Sequence, residues 1–292
     1  TVAGTGEVAL RLPSVVFGVL AVLALYALVS RAFGRTAGLL AAGALAVAPF
    51  QLRYSQEARM YELLTLLALV SLHLLMRVLD RGRVRHGVAL TVALTVVDAA
   101  IVWTHHYGVL VLVAEAVFVG LLLVGRDVDR RAVVRWLASR AGVVVLVLPW
   151  ALLFADQLHK VDLYPWLPPV TWSTVHGAFV GFAGSEPSLW LLVALVALGA
   201  WRFRGLPRRL LGGHGLDAAD RGYLLLWCTF VVPLAVAISW SVLVSPVFGR
   251  KYVIASSVAF LALAVVGASS LRGRVLPVLA VVAVAAASGP QY

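Results

Sequence analysis

Residues 49–61 read PFQLRYSQEARMY, a polar island between two apolar runs. The island carries Arg53, Tyr54, Gln56, Glu57 and Arg59 in close succession. A helix through it puts Arg53 and Glu57 four residues apart on one face, and Ser55 and Arg59 on another. Guanidinium groups grip phosphate oxygens through a planar fork of donors. The chemistry this stretch suits is the holding of a phosphate at a membrane surface. The plainer reading is an interfacial segment whose arginines reach toward headgroups.

Two further stretches carry reactive side chains. VVDAAIVWTHHYG, residues 96–108, offers Asp98, His105 and His106. Asp98 precedes His105 by seven residues, two helical turns deeper on a similar face. An ionisable group inside an apolar run is costly and faces a bundle interior or a wet cavity. Adjacent histidines do not share a helix face, so a metal pair is no better supported than an interfacial pair. Glu115 is a second acid within an apolar run, and Glu62 lies nearer a surface. SPVFGRKY, residues 245–252, brings Arg250, Lys251 and Tyr252, a basic pair able to hold an anionic headgroup or donor phosphate. Phosphate-loop, dinucleotide and Gly-x-Ser-x-Gly patterns are absent, as is any spaced cysteine metal set. Cys228 is the lone cysteine and reads as a small buried hydrophobe.

The elements that must position these residues follow from composition. Of 292 residues, 62% are hydrophobic and 13% charged. A soluble domain would expose the excess as apolar patch, whereas lipid absorbs it. Apolar runs fall near 13–30, 37–51, 60–76, 87–104, 107–125, 141–155, 189–201, 222–244, 253–270 and 275–289. The expectation is an all-α, polytopic transmembrane bundle of about ten spans, a single membrane domain over 1–292. Residues 156–188 are expected to form one long extracytoplasmic loop within it, rich in proline and tryptophan.

Ten spans sort the 24 basic residues unequally. Eighteen fall on one side, from Arg31 and Arg35 through the groups at 77–85, 126–140 and 202–221 to Arg272 and Arg274. Six fall on the other: Arg11, Arg53, Arg59, Lys160, Arg250 and Lys251. The excess marks the first side as cytoplasmic and puts the phosphate-type residues outside. The formal net charge of +11 follows from these scattered loop residues, so nucleic acid is not an expected partner. Both chain ends would face outward, which leads us to expect a further span upstream of Thr1.

Three stretches together resemble the polytopic glycosyltransferases that use lipid-phosphate sugar donors, the group of protein O-mannosyltransferases and lipid A aminoarabinose transferases. They are RLPSVVFGVLAVLALYALVSRAFGR (11–35), AGLLAAGALAVAPFQLRYSQEARMYELLTLLALVSLHLLMR (37–77), and the pair THHYG with PVFGRKYVIASSVAFLALAV. The resemblance implies a GT-C-like fold with a cavity open to the outer leaflet. It implies that an acceptor hydroxyl attacks the anomeric carbon of a polyprenyl-phosphate sugar and polyprenyl phosphate leaves. It places Arg53, Tyr54, Glu57 and Arg59 beside the donor, His105 and His106 near the mouth, and Tyr252 in a late outer loop. There, Lys251 stands where the family has arginine, which removes the bidentate fork. The aspartate expected as base lies in a first outer loop that would precede Thr1.

The cations would stabilise charge on the leaving phosphate, and a carboxylate such as Glu57 or Asp98 would take the hydroxyl proton. A divalent metal is compatible with that chemistry, and the sequence assigns it no ligands. The acceptor class stays open among lipid, glycan and protein. The competing reading is a secondary transporter or flippase, which would set its polar residues at the midplane rather than at the outer helix ends.

Overall fold

The computed structural model describes residues 6–80, 85–158 and 169–271, with positions 278, 282 and 286. It is all helical, with no strand among the described residues. The first helix, α1 (Glu7–Phe33), is 27 residues long, about 40 Å at 1.5 Å per residue. Glu7 opens it and Arg31 closes it, each matching the sign of the helix dipole. Gly34, at φ 89°, turns the chain directly into α2 (Arg35–Ala46). A 62° bend then leads to α3 (Pro49–Ser55), which starts on a proline whose missing N–H costs nothing there.

The chain continues through α4 (Tyr61–Val78), α5 (Gly87–Thr104), a 3-10 turn at His106–Gly108, α6 (Val109–Val124) and α7 (Arg130–Leu158). Next come α8 (Trp172–Ala183) and α9 (Glu186–Arg202), bent by 85° at Gly184 and Ser185. A short α10 (Leu206–Leu211), α11 (Ala218–Leu243), a 3-10 turn at Arg250–Val253 and α12 (Ile254–Ala268) complete the described chain.

Among the described residues seven helices are long and apolar enough to cross a membrane, or nine if each bent pair counts as one span. They follow nine of the ten expected runs. The tenth, 275–289, lies outside the described residues apart from three isolated positions, as do Arg81, Arg83, Arg272 and Arg274 of the basic side. Two boundaries differ from expectation. α7 begins at Arg130 rather than 141, because Arg135 and Arg140 are helical and satisfied. Arg135 donates to the carbonyl of Val78 through Nε (3.1 Å) and Nη2 (2.8 Å). The expected loop 156–188 holds the whole of α8, started by a capping box between Thr171 and Thr174. Lys160, Pro165, Trp166 and Pro168 of that segment lie outside the described residues.

Several arginines of the basic end tie helix ends together. Arg31 meets Asp80 at 2.6 Å, which links α1 to the end of α4. Arg209 pairs with Asp220 at 2.5 Å, and this carboxylate raises the pKa of the guanidinium. Arg221 pairs with Asp127 at 2.6 Å and donates to the Leu79 carbonyl at 3.2 Å.

α12 is the central helix. Every residue of Ile254–Ala268 is buried in protein, and the helix packs on α2, α4, α9 and α11. Its contact with α9 passes through two glycines. A Cβ on Gly199 would lie 3.3 Å from the Gly267 Cα, and one on Gly267 would enter the Leu195 carbonyl. Small residues let membrane helices approach this closely. Gly267→Leu should therefore lower thermal stability by roughly 1–3 kcal/mol or more through overpacking. Gly120→Leu, with nothing within 4 Å of its Cβ position, is the matched control and should melt close to wild type.

Candidate functional site

The break after α2 and the end of α3 create the site. α3 stops at Ser55, and residues 56–60 form a bend rather than a further helical turn. Glu57 nonetheless stays against Arg53, with Nε to Oε1 at 3.3 Å. Arg59 follows the bend outward. It is exposed, so the expected helical pairing of Ser55 and Arg59 does not form; Ser55 instead donates to the Leu52 carbonyl at 2.8 Å.

A cavity of about 330 Å³ opens here, at the bundle end opposite the basic loops. Arg11 of α1, Arg53, Gln56, Glu57 and Arg250 give it a polar lining, and Pro49, Phe50 and Gly181 complete the wall. Three guanidinium groups thus line it beside one carboxylate; Arg11 also pairs with Glu7 at 2.5 Å, which still leaves the cavity net positive. Arg250 reaches it from the 3-10 turn by lying across Gly181 of α8. A Cβ there would stand 2.9 Å from its Nη1. Neither Arg11 nor Gly181 is among the residues the sequence singled out. Arg11 had counted only toward charge asymmetry, and Gly181 sat inside the expected loop. The signal available for Arg11 was its place as one of few cations on the side opposite the basic loops.

The other expected donor residues form the wall behind the cavity. Tyr54 is buried, with its ring 4.9 Å from Phe50 and 5.1 Å from Tyr61. Tyr252 is buried and stacks on Tyr107 at 4.4 Å, and the Lys251 ammonium lies 5.0 Å over the Tyr252 ring. These residues brace the cavity and do not line it.

His105 and His106 sit in the turn between α5 and α6, rings 4.6 Å apart. His105 is extended at φ −159° and caps the 3-10 turn, its Nδ1 accepting the Tyr107 N–H at 3.1 Å. An accepting Nδ1 requires the neutral imidazole with its proton on Nε2. Burial, with His106 and Lys251 adding, lowers its pKa to about 4. The folded state therefore binds this proton less readily than the unfolded chain. His105 should contribute stability that is full above about pH 6.5 and falls as the pH drops toward 4, by roughly 3 kcal/mol in all. Thermal melting across that range should show the slope, and His105→Asn, which keeps an acceptor but does not titrate, should flatten it.

Asp98 is placed elsewhere, at the middle of the bundle. Asp98 and Glu115 are both fully buried, at 0% exposure. Ser71 of α4 lies within hydrogen-bond distance of both carboxylates, 2.5 Å from Glu115. Arg140 of α7 pairs with Asp98 and, at 3.3 Å, with Glu115. Arg140 was missed because it reads as a loop arginine beside a run starting at 141. The available signal was the pair of membrane acids, which demand a cation.

Among the described residues no group of three or more His, Cys, Asp or Glu side chains is placed to hold a metal ion. The divalent-metal expectation therefore has no ligand set in this part of the chain.

No curated protein matches the chain. Solved structures share its fold. ArnT from Cupriavidus metallidurans, crystallised in the apo state, matches 92% of this chain and 47% of its own length, at TM-score 0.61 and 16% identity. The oligosaccharyltransferase of Archaeoglobus fulgidus, in complex with zinc and sulfate, matches 97% of this chain and 41% of its own, at TM-score 0.59 and 17% identity. The chain thus spans less than half the length of either. Both likenesses fit the GT-C-like helical fold expected from sequence. The family described as dolichyl-phosphate-mannose-protein mannosyltransferase matches residues 1–153, just over half of the 292 residues, and the chain belongs to that family.

Proposed function

We propose that this chain is the membrane module of a glycosyltransferase that moves a sugar from a polyprenyl-phosphate donor to an acceptor hydroxyl at the extracytoplasmic face of the cytoplasmic membrane. The observation that carries the reading is the cavity shared by Arg11, Arg53 and Arg250, which offers three guanidinium groups to a single anion at the bundle end away from the basic loops. A monophosphate leaving group develops charge on its oxygens as the anomeric C–O bond breaks, and fixed cations stabilise it most at that moment. Glu57 holds Arg53 by its ion pair, a positioning role. Family membership supports the transferase class, and the charge asymmetry supports the outward face.

The placement of polar groups argues against a transporter. The Asp98–Glu115 cluster at mid-bundle is closed by Arg140, while the open polar cavity lies at an end. The test is transfer of radiolabelled sugar from a polyprenyl-phosphate donor in membranes holding the full-length protein. Label appearing in an extractable glycan, lipid or protein names the acceptor. Uptake of label across sealed vesicles without transfer would favour the transporter instead.

A further inference from the structure

A second cavity, of about 190 Å³, lies on the opposite face of α3. Pro49, Phe50 and Arg53 face the cationic cavity, whereas Gln51, Leu52 and Ser55 face this one, so the seven-residue helix is the partition between them. The second cavity is a groove between α1, α2, α3 and α4. Its walls are apolar: Val15, Val19 and Val22 from α1, and Leu45 from α2. Val15 and Val19 are among the exposed apolar residues of α1, so the groove opens on the side that meets lipid.

Three polar side chains line this groove: Ser55, whose hydroxyl is spent on the Leu52 carbonyl, and Glu62 and Gln51, both buried and both incomplete. Glu62 is 1% exposed and Gln51 7% exposed. Gln51 spends its Nε2 on Ser257 Oγ at 3.0 Å, yet its Oε1 has no partner. Glu62 Oε1 has no partner either. Gly18 lies beside this carboxyl, and a Cβ there would press on Ser55 Cβ at 3.0 Å while meeting Glu62 Oε2 at an ordinary 3.7 Å. Buried polar oxygens left unsatisfied are costly, and their presence in one cavity calls for a ligand that donates hydrogen bonds. The apolar walls and lipid-side opening call for an apolar body on that ligand. With a single carboxyl in the groove, and an amide beside it, a neutral donor fits better than a cation, which would seek a second carboxylate.

We infer that the α1–α4 groove binds a membrane-borne alcohol, its chain along Val15 and Val19 and its hydroxyl at Glu62 and Gln51. The hydroxyl donates to one of the two unpartnered oxygens. Identification of this alcohol with the glycosyl acceptor rests on the transferase reading; the binding itself does not.

The test uses the full chain in phosphatidylcholine nanodiscs, with a long-chain primary alcohol carrying a diazirine as probe. Its methyl ether and the matching alkylammonium serve as comparisons. The alcohol should label peptides of α1 and α4 saturably, and the ether should label them about tenfold less. Glu62→Leu and Gln51→Leu should each reduce labelling by a similar factor. Val19→Trp fills the groove while leaving both polar residues in the sequence, and should abolish labelling in a chain that melts like wild type. Equal labelling by ether and alcohol, undiminished labelling of folded Glu62→Leu or Val19→Trp, or preference for the ammonium would each overturn the proposal. Alcohol binding by a protein that transfers no sugar would defeat the transferase reading and leave this one standing.

Discussion

Arg250→Ala should lower sugar transfer by roughly a hundredfold to a thousandfold, the scale seen when one group that stabilises transition-state charge is removed. Its melting temperature should stay near that of wild type, because Arg250 faces a cavity and supports no helix end. Among the described residues Arg53 already has Glu57 as partner, while no ion pair engages Arg250. Its guanidinium is therefore the one most free to meet an anion. Arg250→Lys keeps the charge and loses the fork, so it should recover part of the rate. Arg59→Ala, on the exposed bend outside the cavity, should cost far less. The assay is transfer from labelled polyprenyl-phosphate sugar in membranes, at donor levels above and below saturation. A fall in turnover at saturating donor marks transition-state stabilisation, and a rise in KM alone marks binding of the ground state. Wild-type turnover by a well-folded Arg250→Ala protein would remove the cavity from the mechanism.

Arg140→Ala is expected to unfold or misassemble the bundle. Four consecutive long helices meet at this guanidinium through Ser71, Asp98, Glu115 and Arg140 itself. Removing the cation leaves two fully buried carboxyl groups facing each other in an apolar interior. Breaking a buried pair from one side costs about 3–5 kcal/mol, whereas replacing every member with apolar residues is often neutral. The triple variant Arg140→Met, Asp98→Leu, Glu115→Leu should therefore melt well above Arg140→Ala. Thermal melting in detergent gives the first result, and transfer by the triple variant gives the second. Full transfer would make the cluster a structural tie. A stable triple variant without transfer would restore to Asp98 the chemical role that its sequence position suggested.

The bundle was legible because lipid imposes a length and a polarity on each span. Every apolar run from 13–30 to 253–270 corresponds to a helix or a bent pair, without any knowledge of tertiary contacts. What escaped depended on those contacts. Arg135 and Arg140 read as loop residues, yet a carbonyl of α4 and two membrane acids let them sit inside α7. The 62° and 85° bends carry no periodicity signal, although Pro49 and Gly184 mark them afterwards. The candidate site was half visible for the same reason. Arg53, Glu57 and Arg250 share a cavity although nearly two hundred positions separate the first from the last. Arg59 and Tyr54 read as equals of Arg53 only while α3 was assumed to run on past Ser55. Once the helix stops there, one turns outward and the other joins an aromatic wall.

The central place of α12 has a consequence for biosynthesis. α2 and α4 emerge early from the ribosome, yet the surfaces they bury are supplied by a helix made near the end of the described chain. Gln51 finds Ser257 only 206 residues later, on the order of ten to forty seconds at ~5–20 residues per second. Until then the half-built bundle has a vacancy along its axis that lipid or an insertion chaperone must fill. The nascent chain must also stay loose enough for α12 to slide in beside α9, glycine against glycine, before the protein can close.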